Sequence, residues 1–170
     1  MIQFKHYSMS SDTIGTGDVV FKRYAATKSR FAQYVEGTLT ELLPEDFGNI
    51  TTIGENATYM KPLVYVEMPD TITTVKSYNF DNFNPSVLKE IIFPANITTI
   101  GQYVCNLVAQ DCIIDFSRAK SVPTIDLGGN NSNSSFDSDN ITSIKVPSSL
   151  YNTWKNANIW KDLASKIVAV

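Results

Sequence analysis

Few residues in this chain have the type and spacing to do chemistry: one histidine (His6), two cysteines (Cys105 and Cys112), the acidic groups Glu45-Asp46 and Asp137-Ser138-Asp139-Asn140, and two tryptophans (Trp154 and Trp160). His6 would need a nucleophile motif beside it to act as a base; none is near, and it reads as a surface histidine. The cysteines lack CxxC spacing and companion histidines, which argues against zinc. Their apolar surroundings favour buried free thiols over a disulfide. Glu45-Asp46 suits a turn or helix start better than an acid/base pair. The second acidic group offers oxygen ligands for calcium but lacks the glycine and later glutamate of an EF-hand loop, so it reads as a solvated loop. Gly15-Thr16-Gly17-Asp18 has neither the lysine nor the preceding strand of a phosphate loop. The Asn-Ile-Thr triplets match glycosylation acceptors but read as a turn plus strand start. Trp154 and Trp160 could stack on a sugar, yet both lie on an apolar stripe that suits packing. None of this assembles into a catalytic constellation, and the expectation is a non-enzyme without cofactor or metal.

The elements that would carry these residues repeat. Leu63 opens LVYVEMP, Leu88 LKEIIFP, Asp111 DCIIDFS and Ile141 ITSIKVP. A second theme, NITTI or a near relative, recurs at Asn49, Thr71, Asn96 and Asn140. A period of about 20–30 residues signals a solenoid, whose units bury their apolar faces only against neighbours. Alternation turns Val66 and Met68, Ile91 and Phe93, Ile114 and Phe116, and Ile144 and Val146 inward. Tyr65, Glu67, Glu90, Ile92, Ile113, Asp115, Ser143 and Lys145 then line an outer face. Pro69, Pro94 and Pro147 end their strands, having no amide proton to extend a ladder. Pro69 and Pro94 lie 94 − 69 = 25 residues apart, too far for a hairpin, so neighbouring strands are expected to be parallel. The fold class expected is a β-rich repeat solenoid with short parallel strands and a C-terminal capping helix. Its divisions are an arm at 1–35, the solenoid at 36–148 and a cap at 149–170. The helix is expected over 149–160, with Leu150, Tyr151, Trp154, Ala157 and Trp160 as its stripe, followed by a closing strand in IVAV.

The formal net charge of −3 over 170 residues, with scattered lysines and arginines, argues against a nucleic-acid partner. No run approaches the ~18 apolar residues of a membrane span. The opening MIQFKHYSMSSDTIGTGD does not have the pattern of a secretory signal.

These units resemble the BspA-type leucine-rich repeats of bacterial surface proteins and of phages infecting gut bacteria. Ile53-Gly54 leads to the Leu63 strand, Val75 to the Leu88 strand, and Ile100-Gly101 to the strand ending at Phe116. Ser121-Val122-Pro123-Thr124-Ile125 and the later IKVPSSLYNTWKNANIWKDLASKI resemble the C-terminal closure of that family. The resemblance spans roughly residues 36–170. Thr58, Cys105, Asp111 and Ser117 depart from it, which predicts an irregular third coil. Phe31, Tyr34 and Gly37-Thr38-Leu39-Thr40-Glu41-Leu42 resemble a leading sequence of small virion proteins of tailed phages.

The resemblance implies a virion structural protein, a head or tail fibre or decoration, made in the host cytoplasm without a signal peptide. The alternative is a bacterial cell-surface adhesin. In the first reading Phe4, Tyr7, Val20, Phe21 and Tyr24 attach the arm to other virion proteins or to copies of the chain. The outer face (Tyr65, Glu67, Glu90, Ile92, Ile113, Asp115) meets a host-surface protein or glycan. Neither nucleic acid nor membrane insertion is expected, and a homo-oligomer within a larger assembly is.

Overall fold

The computed structural model describes residues 40–55, 57–58, 63–80, 87–106, 108–128, 135–136 and 139–170. The arm, with Phe4, His6, Tyr7, Val20, Phe21 and Tyr24, lies outside the described residues. So do Asp137 and Ser138 of the acidic loop.

Two all-parallel sheets carry the chain. The larger runs β1 (Glu41–Leu42), β3 (Tyr65–Glu67), β5 (Glu90–Ile92), β7 (Cys112–Asp115), β9 (Ile141–Val146), β10 (Ile167–Ala169) in that spatial order. The smaller runs β2 (Thr52–Ile53), β4 (Thr74–Val75), β6 (Thr99–Gly101), β8 (Thr124–Asp126). The first four coils contribute one strand to each sheet, β9 and β10 extend the large sheet alone, and the parallel sense follows from the long return between strands.

The pairing aligns inward residues in columns. Leu42, Val66, Ile91, Ile114, Ile144 and Ile167 form one row across the large sheet. The next inward positions, Met68, Phe93, Phe116 and Val146, are also fully buried. From the small sheet, Ile53, Val75, Ile100 and Ile125 join the same core. The repeated threonines Thr52, Thr74, Thr99 and Thr124 stand in register on its other face. The fourth copy of that theme, at Asn140, departs from its sequence likeness. Ile141 and Ile144 belong to β9 of the large sheet, and the position beside β6 is filled by Thr124 and Ile125 instead.

The irregular third coil is real, and its departures have local reasons. The register slips between Cys112 and Ile113, with Thr142 as the extra residue of β9. Asp111 holds φ 66°, a left-handed conformation that Asp tolerates better than a bulky apolar residue. Asp115 Oδ1 accepts a 2.7 Å hydrogen bond from the Ser117 amide, a donor that proline would lack. The Cys105 amide donates to Ser135 O at 2.7 Å, tying this turn to the bridge that Cys105 makes with Phe136. Thr58, polar where the family is apolar, receives its partner from the next coil. Asn79 Oδ1 accepts from the Thr58 amide (3.0 Å) and hydroxyl (3.1 Å), while Asn79 Nδ2 donates to Gly54 O (2.7 Å) and Lys76 O (2.8 Å). Such a satisfied buried network locks adjacent coils in register. Gly101 is required by close approach: a Cβ there would lie 2.5 Å from the Ser77 amide nitrogen.

The cap differs from the expected helix over 149–160. Only Tyr151–Asn156 (α1) is α-helical, flanked by 3-10 turns at Ser148–Leu150 and Trp160–Leu163. Residues six apart on an α-helix lie about 120° apart around its axis, at ~100° per residue. One continuous helix would set Trp154 and Trp160 at the two margins of its apolar stripe rather than in contact. The chain breaks at Ala157 (ψ 147°) and Ile159 (φ 71°), and both indoles are buried, 4.5 Å apart between centroids. Trp160 Nε1 donates to Pro123 O at 3.0 Å, fastening the cap to the last small-sheet coil. The IVAV segment closes the large sheet as β10, as expected.

Both cysteines are buried, and neither forms a disulfide. Burial, offset in part by Lys89, pushes the Cys112 thiol up to about 12. Neither thiol is expected to react with a maleimide in the native protein at about pH 8, and both are expected to react in denaturant. Mass spectrometry after brief labelling checks this; rapid native labelling at Cys112 would contradict its burial.

Candidate binding face

The outer residues of the large sheet form two columns. One runs Glu41, Tyr65, Glu90, Ile113, Ser143, and the other Glu67, Ile92, Asp115, Lys145, Val168. In-register parallel pairing brings side chains some 25 residues apart in sequence to neighbouring-strand spacing, about 4.8 Å. The sequence-expected face is therefore assembled as one surface. Tyr65, Glu67, Glu90, Ile92 and Ile113 are half-buried on it. Asp115 departs from expectation: it is only 8% exposed, its carboxylate turned to the Ser117 amide and to Lys145.

Charged groups hold the face in shape. Lys145 Nζ lies 3.5 Å from Glu90 Oε1 and 3.4 Å from Asp115 Oδ2, bridging two strands. Arg118 reaches back across β5, its Nη1 3.4 Å from Glu67 Oε1 and its Nη2 donating to Met68 O at 2.9 Å. Tyr65 donates its hydroxyl to Glu67 Oε2 at 3.1 Å. Burial first, then the hydrogen bond to Glu67 and the charges of Glu67 and Glu90, holds the Tyr65 phenol above its ordinary value, so it remains a protonated donor. Partly exposed pairs of this kind contribute about 0–1 kcal/mol each. They also limit the rotamers of Glu67, Glu90 and, through its hydrogen bond to Glu67, Tyr65, which lowers the entropy that a partner would have to remove on binding.

Arg118 was not legible as part of this face, because it follows β7 and meets Glu67 only through the register of β3, β5 and β7. Val168 joined through the closing strand. Among the described residues, no group of three or more His, Cys, Asp or Glu side chains could hold a metal ion, and no helix is long and apolar enough to cross a membrane.

A stack of parallel coils with a mixed apolar and charged outer sheet defines a repeat protein that presents a surface. The model of the BspA type leucine rich repeat region matches residues 51–157 in six copies, and the chain belongs to that family. Repeat domains of this family mediate protein interaction or adhesion and are typically not enzymes. No curated protein matches the chain.

Proposed function

We propose that this chain is a structural component of a tailed-phage virion that binds through the outer face of its large sheet, with residues 1–35 as the attachment arm. The observation that carries the binding part is the surface on which half-buried Tyr65, Ile92 and Ile113 stand in register among the ion pairs of Arg118 with Glu67 and of Lys145 with Glu90 and Asp115. Apolar and aromatic residues inside a polar rim are the usual anatomy of an interface core. The virion part rests on the resemblance of Phe31 to Leu42 to the leading sequence of small phage proteins. A bacterial cell-surface adhesin is the second reading, since membership of the family supports adhesion without specifying where.

Mass spectrometry of purified particles from the source culture separates the two: the virion reading expects the chain in the particles, and its absence from them overturns that reading. The double substitution Tyr65→Ala, Ile92→Arg is expected to weaken binding of the purified protein to host cells by at least about tenfold. Unchanged circular dichroism would show that the fold is intact. Undiminished binding would remove the outer face from the proposal.

A further inference from the structure

We infer that two copies of this chain associate through the free edge of β10, about a two-fold axis, joining their six-stranded large sheets into one. One side of β10 is fastened along its length. Lys166 O accepts from the Ile144 amide, the Val170 amide donates to Val146 O, and Val170 O accepts from the Ser148 amide.

The other side is chemically open. The alternation of a parallel strand points the amide and carbonyl groups of Ile167 and Ala169 away from β9, and among the described residues nothing pairs with them. Ile167–Ala169 carries no proline and no charge, the devices that blunt an edge strand. Val168 (40% exposed) and Val170 (57%) are two of the three exposed large hydrophobics among the described residues.

The spacing of those open groups is self-complementary. With Val168 on the axis and the two strands antiparallel, Ile167 of each copy stands opposite Ala169 of the other. Each such pair exchanges two N–H···O bonds, which satisfies every outward group on both strands. Val168 meets Val168 of the second copy as the pair without hydrogen bonds, about 4.5 Å between Cα atoms, both side chains on the outer face. Lys166 falls opposite Val170 of the second copy, its methylene stem beside an exposed valine. The two copies of Lys166 are then 170 − 166 = 4 residues apart along the strands, about 13 Å at ~3.3 Å per residue. That exceeds the ~8 Å Debye length at physiological ionic strength, so their repulsion is largely screened. A contact that uses the same edge on both copies closes at a dimer. So short an edge buries by itself less than the roughly 1,200–2,000 Å² of a stable complex, and the dimer is weak and concentration-dependent. It sets two outer faces side by side, where a partner with repeated sites meets both at once. The association itself stands independently of what the outer face binds.

Sedimentation velocity on the full-length protein, over a concentration series in about 0.15 M salt, tests it. The mass is expected to rise toward that of a dimer and no further. Val168→Asp sets like charges opposite one another on the axis and is expected to weaken association at least about tenfold. Two cysteine variants read the register. Val168→Cys is expected to form a disulfide between copies under mild oxidation, its Cα atoms lying within the ~4.4–6.8 Å that such a bond spans. Lys166→Cys, with its pair about 13 Å apart, is not. Cys105 and Cys112 are buried and contribute little background. Circular dichroism of each variant confirms folding. A protein that stays monomeric at its highest soluble concentration overturns the proposal and leaves the edge to a strand of another protein. So does growth past the dimer, association indifferent to Val168→Asp, or a disulfide that forms as readily through Lys166→Cys as through Val168→Cys.

Discussion

Replacing Phe116 with alanine is expected to lower the stability of the folded chain by about 3–5 kcal/mol, the range for losing a fully buried aromatic side chain. Phe116 has no exposed surface. Its ring stacks on Phe93 (4.3 Å between centroids) and meets Trp154 (4.8 Å), Trp160 (5.4 Å) and Phe136 (6.4 Å). It is the junction at which the inward ladder of the large sheet meets the cap. In a solenoid each coil is held chiefly by its neighbours, so a cavity here weakens both the coil and the interface that transmits order to the end of the stack. The urea midpoint measures the loss. A lowered slope in the same experiment would show that the cap and the coils no longer unfold together. A midpoint equal to that of the parent would contradict the central place of Phe116. Phe93→Ala removes the stacked partner and is expected to fall in the same range.

Ending the chain after Pro147 is expected to have the second large effect, conversion of a folded protein to an aggregating one. The truncation removes Trp154, Trp160, Leu163 and Ile167, all buried, together with β10. Phe116, Phe136, Val146 and Ile144 would lose their cover, and β9 would become the new edge, six residues long rather than three. A long apolar edge beside an exposed core is a template for pairing with other chains. Gel filtration and binding of a hydrophobic dye are the measurements. A truncated protein that stays monomeric with unchanged circular dichroism would show that the cap does not protect the stack.

Both predictions depend on an arrangement whose plan was legible in the sequence. The template around Val66, Ile91, Ile114 and Ile144 repeats, and the long return between copies demands parallel strands, because two-residue hairpins cannot join strands so far apart in the chain. Alternation then assigns Met68, Phe93, Phe116 and Val146 to the core and Tyr65, Glu67, Glu90, Ile92 and Ile113 to the other side. These follow from local chemistry, since strand period and proline geometry act within a few residues. That repeat is also what matches the family to residues 51–157.

Tertiary structure decided what depends on residues far apart in sequence. Thr58 looks like a flaw until Asn79 of the next coil meets it, and Ser117 until the Asp115 carboxylate accepts its amide. Asn140 begins a segment that reads like the small-sheet theme, yet the segment lies in the large sheet, because Thr124 and Ile125 already occupy the place beside β6. Helical periodicity alone would have continued α1 to Trp160, but the chain breaks at Ala157 and Ile159, and both indoles pack on Phe116 and on each other. Arg118 reaches Glu67 across 51 residues of sequence, and Asp115 is drawn inward by Lys145 and Ser117. Periodicity specifies which way a side chain leaves its strand; which side chain it meets there is set by the register of coil upon coil, and that register exists only once the stack has formed.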